Sequence, residues 1–188
     1  SSMTHGGPNF CNMTTVIQST IPMCNPYFVD GFQTGDYYDY EYSDKYSEET
    51  FTDNHIMDHH KYQLDIFNLS RKPGGNSTLV ADNFKKAFLF RKDNIEMISK
   101  GTFTPLKVNN DRVFAYTRSY QGNTIIVLGN LDSKHYQKKL SVKVSGLKKK
   151  QHLNVIHGMA NYKTRKNVLY TDLGPNEIKV LRIENFSL

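Results

Sequence analysis

The chain has 188 residues and 21.7 kDa, room for one full-sized domain or two small ones but not for a complete (β/α)8 barrel of about 250 residues. With 38% hydrophobic and 22% charged residues, it reads as neither disordered, collagen-like nor coiled coil; no apolar run reaches the roughly 18 residues that span a bilayer, and no membrane partner is expected. The net charge of +6 hides two pieces of opposite sign: residues 1–70 carry a net of −8 and residues 71–188 a net of +14.

Residues 8–20 read as a helix, because Pro8 suits a first turn and Phe10, Met13, Val16 and Ile17 share one stripe. Ile21-Pro22 ends it, and residues 23–29 read as an extended, buried strand reaching Asp30-Gly31. A parallel strand needs neighbours to satisfy its backbone groups, so the remainder of a sheet is expected upstream or on another chain. Cys11 and Cys24 are too few for a disulfide framework; free, buried thiols are the favoured reading, although the spacing leaves one bridge open. Sequons at Asn12, Asn68, Asn76 and Asn185 carry meaning only in a secreted eukaryotic protein.

In the loop from Asp36 to Asn54, the stretch Asp36 to Tyr46 alternates tyrosines with carboxylates. Flat rings stack on pyranose faces and carboxylates accept hydrogen bonds from sugar hydroxyls. The segment therefore either recognises sugar, through Asp36, Tyr37, Tyr38 and Tyr40, or packs its tyrosines locally. Gln33, just before it, is expected to be a buried amide in an orienting hydrogen bond rather than in direct chemistry. His55, Asp58, His59 and His60 have the i, i+3, i+4 spacing of ligands on one helical face. No further His or Cys cluster completes such a site, so a charged stretch is the favoured reading and no metal or other cofactor is expected.

Residues 79–100 read as one helix, with cap candidates in Asn76-Ser77-Thr78 and Gly101 as the C′ residue. Its apolar face, Phe84, Phe88, Leu89 and Ile95, needs a partner, and the β half that follows is the expected one. Phe88 is placed in that interface, where truncation of a fully buried ring costs about 3–5 kcal/mol.

After Gly101 the pattern has period two, with strands expected at 102–108, 113–120, 124–128, 140–144, 153–156, 167–170 and 178–183. Gln121-Gly122-Asn123 marks a hairpin. Val142 and Val144 alternate with Lys143, and Ile178 and Val180 with Lys179, which puts the valine and isoleucine face in a core and the lysines in water. Short strands at this spacing predict an antiparallel sandwich or barrel. Lys148-Lys149-Lys150, in an expected hairpin loop, and Lys138-Lys139 read as solvated loop ends rather than a phosphate stripe, since no stacking aromatics are interleaved with them. No nucleic-acid partner is expected, and the acidic first piece is the nearer anionic surface.

In this order the elements resemble the end of the alpha-amylase family of glycoside hydrolases. Ile21-Pro22 stands where that family has an apolar-proline turn, and Gly31-Phe32-Gln33-Thr34-Gly35 where it has Gly-x-Glu/Gln-x-Gly, at its eighth barrel strand. Residues 84–94, with Phe90-Arg91-Lys92, are similar to its eighth helix. Val113-Phe-Ala-Tyr-Thr-Arg118 and the strand ending at Asn130 are similar to its C-terminal sandwich.

The resemblance implies an α+β chain, in which a C-terminal antiparallel β-sandwich (101–188) is preceded by a helix/strand/helix remnant of a (β/α)8 barrel (1–100): seventh helix, eighth strand, long loop and eighth helix. It implies a C-terminal fragment of a glycoside hydrolase or transglycosidase acting on an alpha-glucan or oligosaccharide, with the remaining barrel residues upstream or on another chain. The loop from Asp36 would then lie on the active-site face. The family's catalytic carboxylates follow the fourth, fifth and seventh strands, the last in a His-Asp motif. His5 is followed by Gly6, so the chain is expected to begin downstream of all three, to hold no catalytic residue and to be inactive alone. A stand-alone carbohydrate-binding or assembly module docking on a partner chain is the alternative.

Overall fold

The run Ile125-Ile126-Val127-Leu128 has no polar face, and neither face of it meets water. In a computed structural model that describes residues 2–28, 31–36 and 75–183, the run is the middle of β3 (Asn123–Asn130). The other strands are β1 (Thr102–Pro105), β2 (Val113–Tyr120), β4 (Gln137–Lys143), β5 (Leu153–His157), β6 (Tyr162–Arg165), β7 (Val168–Leu173) and β8 (Ile178–Ile183). They form an antiparallel sheet of order β1-β2-β3-β8-β5 and a second, three-stranded one of order β4-β7-β6. Ile126, Leu128 and Leu181 pack between the sheets with Leu140, Val142 and Leu169. Ile125, Val127, Ile178 and Val180 belong to a second core, closed by helices. Successive residues of one strand thus serve two cores, as the two-residue period of a strand requires.

The covering layer is α1 (Ser2–Thr20), α2 (Thr78–Asp93) and α3 (Ile95–Lys100). Gly7, at φ 63° and ψ −159°, kinks α1, so its regular part begins at Pro8, the position that the proline favours. Met13 and Val16 are buried against the sheet, with Phe10 and Ile17 beside them. Ser77 caps α2, its hydroxyl accepting from the Val80 N–H at 3.3 Å.

The expected single helix over 79–100 breaks at Asn94, which leaves helical geometry at φ −120° and ψ 27°. Its side chain donates to the Phe90 carbonyl at 2.8 Å and accepts from Arg182 Nη2 at 2.7 Å, and such local bonds compete with the helix ladder. Gly101 is not left-handed but extended, at φ −70° and ψ 154°. Glycine is required there for close approach, since a Cβ would lie 2.3 Å from the Met97 carbonyl oxygen. Phe88 does not pack on the sandwich. It is half-buried in a ring cluster with Phe28 and Phe84, while Ala87, Phe90 and Met97 meet the sheet and Leu89 and Ile95 stay 48% and 50% exposed. The stripe through 84 and 88 is turned away from the stripe through 87 and 90, so α2 divides its apolar residues between two neighbours.

Three further expectations change in the sheets. Lys179 is not in water: it is 0% exposed, because both faces of β8 are covered. Its ammonium donates to Asn161 Oδ1, to Thr171 Oγ1 at 2.9 Å and to the Asp172 carbonyl at 2.8 Å. β6 had no apolar alternation to announce it, only Thr164 being buried. Lys148-Lys149-Lys150 lie not in a hairpin but in the crossing from β4 in one sheet to β5 in the other. The expected β2–β3 hairpin is present, closed by Gln121 and Gly122 at φ 46° and 78°, the doubly positive pair that matches strand twist.

Two polar contacts and a buried arginine bind the layers together. Tyr116 Oη lies 2.6 Å from Thr20 Oγ1 at the end of α1, and burial pushes this phenol up to about 12. Asn12 Nδ2 lies 2.7 Å from His157 Nε2. Arg118, 0% exposed, donates from Nη2 to the Met97 and Ile98 carbonyls at 2.8 and 2.5 Å. Those carbonyls belong to the last turn of α3, where intrahelical donors run out, although the Met97 carbonyl also accepts from the Gly101 N–H at 3.0 Å.

Arg118→Met, which keeps the bulk and removes the donor, should cost about 2–4 kcal/mol in urea unfolding; a change near zero would mean that the carbonyls find other partners. The His157 imidazole is held below its ordinary 6.5, first by burial and then by the Lys86 charge, against an opposing pull from Glu177. A group depressed in this way contributes stability above the unfolded pKa, and that contribution is lost as pH falls below it. Stability should therefore decline from about pH 7 to pH 5, and His157→Gln should flatten the decline; an unaltered slope in the variant would exclude His157 as its source.

Candidate functional site

The turn that follows α1 is built on two glycines. Phe32–Thr34 forms one 3-10 turn between Gly31 at φ 94° and Gly35 at φ 71°, left-handed conformations that glycine adopts at no steric cost. The Gly31 carbonyl accepts from the N–H groups of Thr34 and Asp36 at 3.2 and 2.9 Å, and the Phe32 carbonyl accepts from Gly35 at 3.0 Å. Ser77 N–H donates to the Thr34 carbonyl at 2.9 Å, which fastens the turn to the start of α2. Side chains fill the space behind it: a Cβ on Gly35 would stand 3.0 Å from Ser77 Cβ.

Gln33 and Asp36 are therefore brought onto one short, fastened turn, both half-buried. Gln33 Oε1 accepts from the Gly31 N–H at 3.1 Å. Tyr37, Tyr38 and Tyr40, and the His55, Asp58, His59 and His60 stretch, lie outside the described residues. Among the described residues no group of three or more His, Cys, Asp or Glu is placed to hold a metal.

Beneath the turn is an aromatic floor. Phe28 lies 4.6 Å from Phe32 and 5.1 Å from Phe84, centroid to centroid, and Phe84 lies 4.7 Å from Phe88. Met3, Cys11 and Val80 pack against Phe32. Both cysteines are free; Cys11 is buried as expected, whereas Cys24 is only half-buried. Burial pushes the Cys11 thiol up to about 11, which keeps it protonated and unreactive.

Of residues 23–29, expected as a strand, those described, 23–28, have no ladder partner among the described residues. Side chains hold them instead. Arg91 Nη2 donates to the Cys24 carbonyl at 2.7 Å, and its Nη1 to the Gln18 and Ser19 carbonyls, both at 3.3 Å, at the end of α1. Gln18 Oε1 accepts from the Tyr27 N–H at 3.0 Å. The positioning role of Arg91 was missed from the sequence; its signal was a cation beside Phe90 in a helix whose neighbours are largely aromatic and aliphatic.

Residues 103–179 match the family model described as the C-terminal domain of maltogenic amylase. The match is consistent with the C-terminal domain of an alpha-amylase-family glycoside hydrolase. Solved structures extend the likeness of fold across the helices. An alpha-amylase from Geobacillus thermoleovorans complexed with acarbose superposes at a TM-score of 0.65 with 14% identity, over 96% of this chain and 34% of its own. A maltogenic alpha-amylase from Thermotoga neapolitana gives 0.64 with 13% identity, over 95% and 37%. Isomaltulose synthase from Klebsiella sp. LX3 gives 0.57 with 14% identity, over 97% and 40%. The chain thus spans well under half the length of these structures. No curated protein sequence matches it.

The motif residues Tyr116, Arg118 and Asn130 are scaffolding. Asn130 Nδ2 donates to the His135 and Gly174 carbonyls at 2.9 and 2.8 Å while its Oδ1 accepts from the Asp132 N–H at 3.0 Å. Gly35→Ala should lower stability by about 1–2 kcal/mol, from its left-handed backbone alone, measured by thermal unfolding; an unchanged melting temperature would show that the turn is not held as described.

Proposed function

We propose that the chain is the C-terminal part of an enzyme acting on alpha-glucosidic bonds in an alpha-glucan or oligosaccharide, by hydrolysis or by glycosyl transfer. In this reading residues 1–100 are the end of a (β/α)8 barrel and residues 101–188 the sandwich packed against it. The observation that carries the reading is that the likeness of fold to an alpha-amylase extends over 96% of the chain, well beyond the β half, while taking up 34% of that enzyme. A module made only of the sandwich would account for residues 103–179 and leave the helical half without a reason.

The turn at 31–35 then ends the last barrel strand. Gln33 orients its surroundings by hydrogen bonding, and Asp36, with Tyr37, Tyr38 and Tyr40, meets the sugar. A carboxylate and an amide on a rigid turn suit the recognition of hydroxyls. Cleavage with retention needs a nucleophile and an acid, two carboxyl groups about 5 Å apart; these roles fall to barrel residues outside this chain.

The purified chain should give no turnover of maltooligosaccharides or activated alpha-glucosides above background, and cleavage by it would overturn the assignment. In the polypeptide that supplies the rest of the barrel, Asp36→Asn should raise KM by about tenfold, the loss of one charge-assisted hydrogen bond, with kcat little changed. An unaltered KM would remove Asp36 from the substrate side.

A further inference from the structure

The outer face of the three-stranded sheet carries a second surface that the resemblance leaves unexplained. Pairing of β6 with β7 sets Lys163 beside Tyr170 and Arg165 beside Val168, so residues several positions apart in sequence become neighbours. A concavity of about 520 Å³ results, lined by Lys139, Tyr162, Lys163, Arg165, Tyr170 and Asp172. A second hollow of about 590 Å³ shares Arg165 and Tyr170 and adds Lys149 and Lys166.

Five exposed cations, Lys139, Lys149, Lys163, Arg165 and Lys166, face one carboxylate, Asp172. None of the five makes an ion pair among the described residues. The Asp172 carboxylate is engaged by a backbone group, the Lys139 N–H at 2.7 Å. Like charges gathered without counter-charges repel one another, and an anion entering the hollow would relieve them. Tyr170 supplies a ring, with the Arg165 guanidinium 5.6 Å from its centroid, and Asn161 and Asp172 supply polar groups at one end.

We propose that this face binds a glucan bearing sparse phosphate esters: the cations take the phosphate, and Tyr170, Asn161 and Asp172 take the sugar. Asp172 selects against a polymer with a phosphate at every residue, such as a nucleic acid, yet accepts hydroxyls of neutral sugar between esters. Successive bases also want successive rings, and the floor offers chiefly Tyr170. The glucan part of the assignment rests on the proposed function, whereas the anion part rests on the five cations alone. The site lies on the sheet remote from the helices and uses none of the residues of the turn at 31–36.

The test is affinity electrophoresis of the full chain in gels holding phosphorylated amylopectin or the same polymer after phosphatase treatment, with inorganic phosphate and a single-stranded oligonucleotide as competitors. Retardation by the phosphorylated polymer only, relieved by salt and lowered about tenfold in Lys163→Gln/Arg165→Gln at an unchanged melting temperature, supports the proposal. Competition by millimolar inorganic phosphate as strong as by the phosphorylated polymer would overturn it in favour of a free-phosphate site. Equal retardation by both polymers, or by neither, would overturn it while leaving the enzymatic reading to its own turnover assay. Tighter binding of the oligonucleotide would replace the glucan with a nucleic acid.

Discussion

A six-residue helix has almost no interior, so most of its carbonyls depend on donors from elsewhere. α3 is such a helix, and it lies over an apolar sheet where water cannot serve. Arg118 reaches up from β2 and meets two of those carbonyls, which ties α3 to the sheet just before β1 begins. Burial pulls the guanidinium below its ordinary value, but arginine starts so high that it stays charged. A lysine there would present a single ammonium on a flexible stem instead of a planar fork. The same device recurs at the end of α1 with Arg91 and at the break between α2 and α3, where Arg182 holds Asn94 and lies 5.9 Å from the Phe90 ring.

These three arginines connect fold to site. Arg91 binds the end of α1 and the Cys24 carbonyl together, which fixes the path of the chain toward the glycine-framed turn. Ser77 fixes the other side of that turn to α2. Between the sheets, Lys179 on β8 meets three acceptors, two from β7 and one from the loop before β6. Burying an ammonium is costly unless its hydrogen bonds are satisfied, and here they are.

Strands were legible in the sequence where one face was apolar and the other charged, as with Val142, Lys143 and Val144. They misled where both faces were covered: the alternation at Lys179 looked amphipathic, yet its lysine points into the protein, because period two reports contrast between faces and not which face is wet. β6 escaped because a short edge strand with one buried residue has no hydrophobic pattern. The helix over 79–100 was legible as a helix but not as two, since Asn94 acts through partners on β8 and α2 that are remote in sequence or invisible to periodicity. Gln33 and Asp36 were legible as neighbours from Gly31 and Gly35. The cluster around Tyr170 was not, because cross-strand neighbours are set by register.

The second core has a further consequence for the order in which the molecule can assemble. Val16 in α1 packs in one cluster with Val180 in β8, and Asn9 reaches the Pro175 carbonyl 166 residues away. α1 therefore lacks its finished resting surface on the sheet until β8, the last of the described strands, exists. Closing so long a loop is slow, and contacts of such high sequence separation form late. In the interval the stripe of Phe10, Met13, Val16 and Ile17 is bare, a greasy helix in search of a surface. The exposure of that stripe thus ends only when β8 enters the sheet.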